Sequence, residues 1–216
     1  MDQAETTVKP RARKSPLRRF SELTKTLLLA AIVFTGARTI VLPYEVEGAS
    51  MTPNLLNHER VLVNRTVYFH FDLNEILDYV PGVNLDGARE IFPFHSPHRG
   101  DVVVLHPPVQ SSEPYIKRVI GLAGESVTFR NGYVYINGAR LDESYIDGPI
   151  TYCRSSPNCD LGPIPDGYVF VLGDNRDNSQ DSRSFGLVKI DEIVGKAWFT
   201  NWPLNSIGLM PSENYP

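Results

Sequence analysis

Ser50 lies in Val46-Glu-Gly-Ala-Ser-Met-Thr-Pro53, where Gly48, Ala49 and Pro53 leave little side-chain bulk around a hydroxyl. Gly and Pro so close together point to a turn rather than a regular element. A serine hydroxyl becomes a nucleophile at neutral pH only beside a general base. Histidine is the usual base, but His58 reads as a surface turn residue, and His70, His95, His98 and His106 sit beside Pro, Phe or strand ends. Gly48-Ala-Ser-Met-Thr52 lacks the second glycine of the G-x-S-x-G elbow, and the chain contains no S-x-x-K. His58-Glu59 has no second histidine at zincin spacing, so no metal site is expected there.

Lysine is the remaining base. Lys117 lies in Pro114-Tyr-Ile-Lys-Arg-Val-Ile-Gly121, an apolar run that reads as a strand. Strand alternation places Lys117 on one face with Tyr115 and Val119, and Ile116 and Arg118 on the other. Burial in that company would disfavour the ammonium and make the amine basic near neutral pH. The competing reading is an edge lysine whose ammonium reaches water. A third polar element follows the apolar strand Tyr168–Leu172: Gly173-Asp-Asn-Arg-Asp-Asn-Ser-Gln-Asp-Ser-Arg-Ser-Phe-Gly186. It reads as a solvated loop or as a supporting network, with Ser179 directed at the lysine and Asp181 paired to Arg183. Its Asp spacing does not fit an EF-hand.

The elements that must position these residues follow from pattern. The chain has 216 residues, enough for a sizeable core, with 16 Gly and 17 Pro that favour strands and turns. The expected class is mainly β. Strands are expected at 60–69, 101–106, 115–121, 126–130, 133–136 and 168–172, with hairpin turns at Asn131-Gly132 and Asn137-Gly138. Residues 70–98 read as an aromatic loop or insertion, with one short helix near Asp72–Tyr79. That loop would touch lipid headgroups or cover the domain's own core. No parallel βαβ unit is evident.

The net charge of −4 divides unevenly. A basic segment with Lys9, Arg11, Arg13, Lys14, Arg18, Arg19 and Lys25 precedes the apolar run, and the remainder is acidic, against nucleic-acid binding by the main domain. We divide the chain into a basic tail (1–22), an apolar segment (23–42) and an exported domain (43–216). The apolar segment fits either a cleaved secretory signal or a retained anchor with Lys25 and Arg38 at opposite interfaces. On both readings the basic flank stays cytoplasmic. In an exported domain Cys153 and Cys159 form a candidate disulfide, the alternative being two reduced thiols.

Taken together, the run around Ser50, Arg99-Gly-Asp-Val-Val-Val104, Tyr115-Ile-Lys-Arg118 and Gly173-Asp-Asn-Arg-Asp-Asn-Ser-Gln-Asp-Ser-Arg183 resemble the ordered motifs of type I signal (leader) peptidases. The resemblance runs from about Leu23 to Trp202. It implies an antiparallel β-rich catalytic domain preceded by one transmembrane helix, and a short Cys loop of the kind some members carry. It also implies Ser50 as nucleophile, Lys117 as general base, and support from Arg118, Asp174, Arg176, Ser179, Asp181 and Arg183. Some members place a hydroxyl residue where this chain has Gly48. The oxyanion would then rest on backbone N–H groups around Gly48 and Ala49, Ser50's own among them. The implied substrates are exported preproteins with small residues at the first and third positions before the cut, met at the outer face of a membrane without a cofactor. A self-cleaving repressor would need a DNA-binding domain in place of the anchor. An inactive tethered scaffold would leave Ser50 inert.

Overall fold

The computed structural model describes residues 16–72, 90–91, 95–111, 113–146, 151–153, 159–210 and 215. Two compact units divide at residues 39 and 40.

The first unit is dominated by helix α1 (Pro16–Ile40). Its segment Phe20–Ile40 has 21 residues at a mean hydropathy of 1.4, long and apolar enough to cross a membrane. Leu27, Leu28, Leu29, Ile32, Val33 and Phe34 are all exposed, so the helix is apolar all round rather than along one stripe. The helix takes in the end of the basic tail and stops at Ile40, two residues short of the expected apolar boundary. Val41 and Leu42 already belong to a strand.

The second unit is mainly β, as expected, and its described strands pair antiparallel. Its main sheet contains β1 (Val41–Glu45), β2 (Arg60–Asn64), β5 (Val102–Leu105), β6 (Tyr115–Gly121), β11 (Tyr168–Leu172), β12 (Val188–Lys189), β13 (Ile193–Trp202) and β14 (Gly208–Leu209). Their order is β1-β2-β13-β5-β6-β11-β12, with β14 beside β13. Pro43 has no N–H to give, which suits β1 to the sheet edge. A second sheet has the order β10-β7-β8-β9, from β7 (Val127–Arg130), β8 (Tyr133–Ile136), β9 (Ala139–Arg140) and β10 (Cys159–Leu161). Its two turns are the expected ones: Asn131 and Gly132, then Asn137 and Gly138, all have positive φ, the geometry that closes two-residue hairpins. The short pair β3 (Phe71–Asp72) and β4 (Glu90–Ile91) is the regular structure described within the expected insertion. The helix expected near Asp72–Tyr79 lies outside the described residues apart from Asp72.

Strand β6 is buried from Ile116 to Gly121 because both of its faces meet a core. Ile116 packs with Val46, Met51, Leu55, Val61 and Val104, whereas Val119 packs with Val103, Val169 and Val171. The hairpin sheet supplies a further core around Phe129, Val134 and Phe170.

The pattern did not predict β13, the longest strand. Register shifts between Ile193 and Gly195, Ala197 and Phe199, and Thr200 and Trp202 break its alternation as it passes from β5 to β2. Gly195 lets β13 pass close to β2, because a Cβ there would strike the carbonyl of Asn64. Gly195→Ala should therefore destabilise the β unit by about 1–3 kcal/mol. A lower urea midpoint for the detergent-solubilised chain is the expected result, and an unchanged midpoint would show that the two strands separate freely.

Candidate active site

Ser50 leaves β1 through Val46–Ala49 and enters a turn whose backbone is fixed from several directions. Gly48 has φ +84, a conformation that side-chain-bearing residues rarely adopt, and its N–H donates to Asn57 Oδ1 at 2.8 Å. That bond removes Gly48 from the expected oxyanion donors. The Ala49 carbonyl accepts from Thr52 N–H (3.3 Å), Thr52 Oγ1 (2.9 Å) and Asn175 Nδ2 (3.0 Å). The Ser50 carbonyl accepts from Asn175 N–H at 3.0 Å. Among the described residues the N–H of Ser50 donates to nothing, leaving it free for a ligand oxygen.

Lys117 approaches from β6. Its Nζ lies 2.8 Å from Ser50 Oγ and donates to the Ile116 carbonyl at 2.7 Å. The Tyr115 ring covers it, with Nζ 5.3 Å from the centroid. Lys117 is only 3% exposed, and this burial is the main reason its ammonium is brought down to about 8, against smaller upward pulls from Asp181 and then Asp174.

Both carboxylates are paired to arginines. Arg118, fully buried on the opposite face of β6, donates through Nε to Asp174 Oδ1 (2.9 Å) and through Nη2 to Oδ2 (2.7 Å). Burial works against the Arg118 charge, but the hydrogen bonds and charge of Asp174 outweigh it and hold the guanidinium above its ordinary value. Arg183 grips Asp181 through Nε (2.9 Å) and Nη2 (2.8 Å), while Asp181 accepts from Gly173 N–H at 3.1 Å and caps helix α2 (Ser182–Phe185). Arg176 donates to the Gly173 carbonyl at 3.0 Å, and to Thr151, Glu143 and Tyr145. The Tyr145 ring stacks beneath Arg118 at 4.2 Å.

Ser179 departs from expectation. It makes no hydrogen bond to the lysine; among the described residues its buried Oγ has no partner. It packs on Gly173, where an added Cβ would strike Ser179 and the Ser50 carbonyl. Gly173 therefore brings the loop and the serine's backbone into contact. Sequence pattern does not mark Asn175 or Asn54, although Asn54 Nδ2 bridges the Tyr145 carbonyl (2.8 Å) and Asp174 Oδ2 (2.9 Å). Their position in or near glycine-bearing motifs was the only signal. Cys153 is disulfide-bonded, and Cys159 is the chain's only other cysteine.

Ser50 and Lys117 open onto a cleft of about 630 Å³. Its apolar lining includes Val46, Val61, Val104 and Ile116, its walls run along Pro43–Ser50 and Glu113–Lys117, and no histidine lines it. Among the described residues no three His, Cys, Asp or Glu side chains gather as a metal-ligand set. A hydroxyl against a buried amine of lowered pKa can act as a nucleophile with its base.

The family model described as signal peptidase, peptidase S26, matches residues 20–202. Signal peptidase IB of Staphylococcus aureus is 35% identical over 187 residues, covering 81% of this chain and 84% of its own length. A probable signal peptidase I-2 of Synechocystis is 32% identical over 200 residues, covering 89% and 78% respectively. The crystal structure of a signal peptidase I from Enterococcus faecalis is 33% identical with a TM-score of 0.41, over 47% of this chain and 97% of that one.

The buried Arg118–Asp174 pair gives a test of the framework. Asp174→Ala should cost about 3–5 kcal/mol by stranding a buried guanidinium, and Asp174→Leu with Arg118→Met should cost much less. Chemical unfolding midpoints decide, and equal losses for the single and double variants would refute the stranded-charge account.

Proposed function

This chain belongs to the signal peptidase family, peptidase S26, and from that premise we propose that it is a membrane-anchored serine endopeptidase using Ser50 and Lys117 to remove signal peptides from exported preproteins. The observation that carries the reading is the 2.8 Å approach of Lys117 Nζ to Ser50 Oγ at the floor of an open cleft.

Neutral Lys117 takes the proton from Ser50 Oγ as the oxygen attacks the scissile carbonyl carbon. The Ile116 carbonyl, by accepting one N–H of the amine, holds the nitrogen beside the serine. The oxyanion of the tetrahedral intermediate accepts from the free N–H of Ser50. On collapse the C–N bond breaks, and the Lys117 ammonium protonates the leaving amine. Lys117 then takes a proton from a water that attacks the acyl-enzyme ester, and returns it to Ser50 as the acid product leaves.

The substrate lies extended between the two cleft walls, a mode that uses backbone hydrogen bonds. Small side chains at the first and third positions before the cut suit the shallow apolar floor, where larger groups would cost strain. Helix α1 is retained as the anchor, its basic flank cytoplasmic and the β unit on the outer face. Ser50 follows Ile40 by only ten residues, so a retained helix tethers the serine to the membrane through a short stretch of chain.

Ser50→Ala and Lys117→Ala should each reduce cleavage of a model precursor in detergent by at least about 10³-fold, and Lys117→Arg should not rescue it, because guanidinium stays charged. Residual activity within tenfold of wild type in any of the three would remove that residue from the mechanism. The base works only when neutral, so kcat/KM should rise about tenfold per pH unit below about 8 and level off above it. A profile flat from pH 6 to 9 would exclude Lys117 as the base.

A further inference from the structure

The charged groups lining the cleft are Glu45, Glu47, Glu113 and Lys117. Three carboxylates outnumber the single amine whether or not Lys117 is charged. Glu45 is compensated, since His58 lies 3.1 Å and Arg60 3.4 Å from its oxygens. Glu47 and Glu113 are exposed, and neither makes an ion pair among the described residues. They stand on opposite walls: Glu47 precedes Ser50 by three residues, and Glu113 precedes Lys117 by four. Both are exposed side chains that line the same cleft as Ser50 and Lys117.

This inference rests on the endopeptidase reading above. A peptide whose N-terminal side occupies that apolar stretch runs parallel to both walls. Extended backbone turns alternate side chains in opposite directions. With the first and third residues before the cut directed to the floor, the second and fourth face the rim, where the two carboxylates are. We propose that Glu47 and Glu113 are specificity-determining residues that favour basic, and disfavour acidic, side chains at the second and fourth positions before the cut. A cleft lined by one sign of charge focuses that preference beyond what an isolated surface charge exerts. The carboxylates act on substrate selection alone and take no part in proton transfer.

The test uses the full-length protein in detergent and three precursor peptides that differ only in carrying Lys, Gln or Glu at the fourth position before the cut. Wild type should cleave them in the order Lys, Gln, Glu, with kcat/KM spread over roughly tenfold at low salt, since an exposed charge pair contributes a factor of about two to five. The spread should narrow at 0.5 M salt. In Glu47→Gln with Glu113→Gln the three rates should converge to within about twofold of the Gln peptide's. A spread that persists in the double variant, or equal rates in wild type, would overturn the proposal while leaving the endopeptidase intact. Failure of wild type to cleave any of the three would overturn the endopeptidase reading and this inference with it.

Discussion

The site depends on burial lowering one lysine to about 8 although two carboxylates stand near it. Asp174 and Asp181 both pull Lys117 toward its ammonium form, and burial pulls the other way. Burial prevails because each carboxylate has its own guanidinium: Arg118 holds Asp174 and Arg183 holds Asp181. Arg118 also comes from the residue next to the lysine, projecting from the opposite face of β6. One strand thus delivers a buried amine to the cleft and a compensating cation behind it. Had Asp174 been unpaired, its field in a poorly solvated interior would have favoured a charged lysine.

Close backbone contact sets the geometry of the serine. Gly173 lies against the Ser50 carbonyl and Ser179, with no room for a Cβ. Asn175 then hydrogen-bonds the carbonyls of Ala49 and Ser50, so the Ser50 turn is held by the loop after β11 as well as by its own chain. The loop is cross-braced, because Arg176 reaches Glu143 and Thr151 outside it and Arg183 pairs with Asp181 within it. The serine and the lysine come from segments 67 residues apart and are brought within hydrogen-bond distance by shared packing on β6 and β11.

Several elements were legible from pattern because their signals are local. Strands β6, β8 and β11 matched their apolar runs, and the two Asn-Gly pairs closed hairpins through positive φ, which both residue types tolerate. Strand β13 was not legible, since its bulges shift alternation three times and Gly195 is explained only by the strand beside it. The edge strand β1 was hidden for a related reason: Val41 and Leu42 are as apolar as the helix before them, and only pairing with β2 separates the two elements.

Residue type and order by themselves determined which chemistry was open to this chain: a serine in a bare turn, no suitably placed histidine, and a lysine in an apolar strand. Those are properties of single segments, readable from local spacing. Tertiary structure decided that Lys117 is buried rather than at an edge, that Gly48 gives its N–H to Asn57, and that Ser179 packs on Gly173 without reaching the lysine. Each of those depends on atoms from segments distant in sequence, because desolvation and hydrogen-bond partnership are set by whatever fills the space around a group.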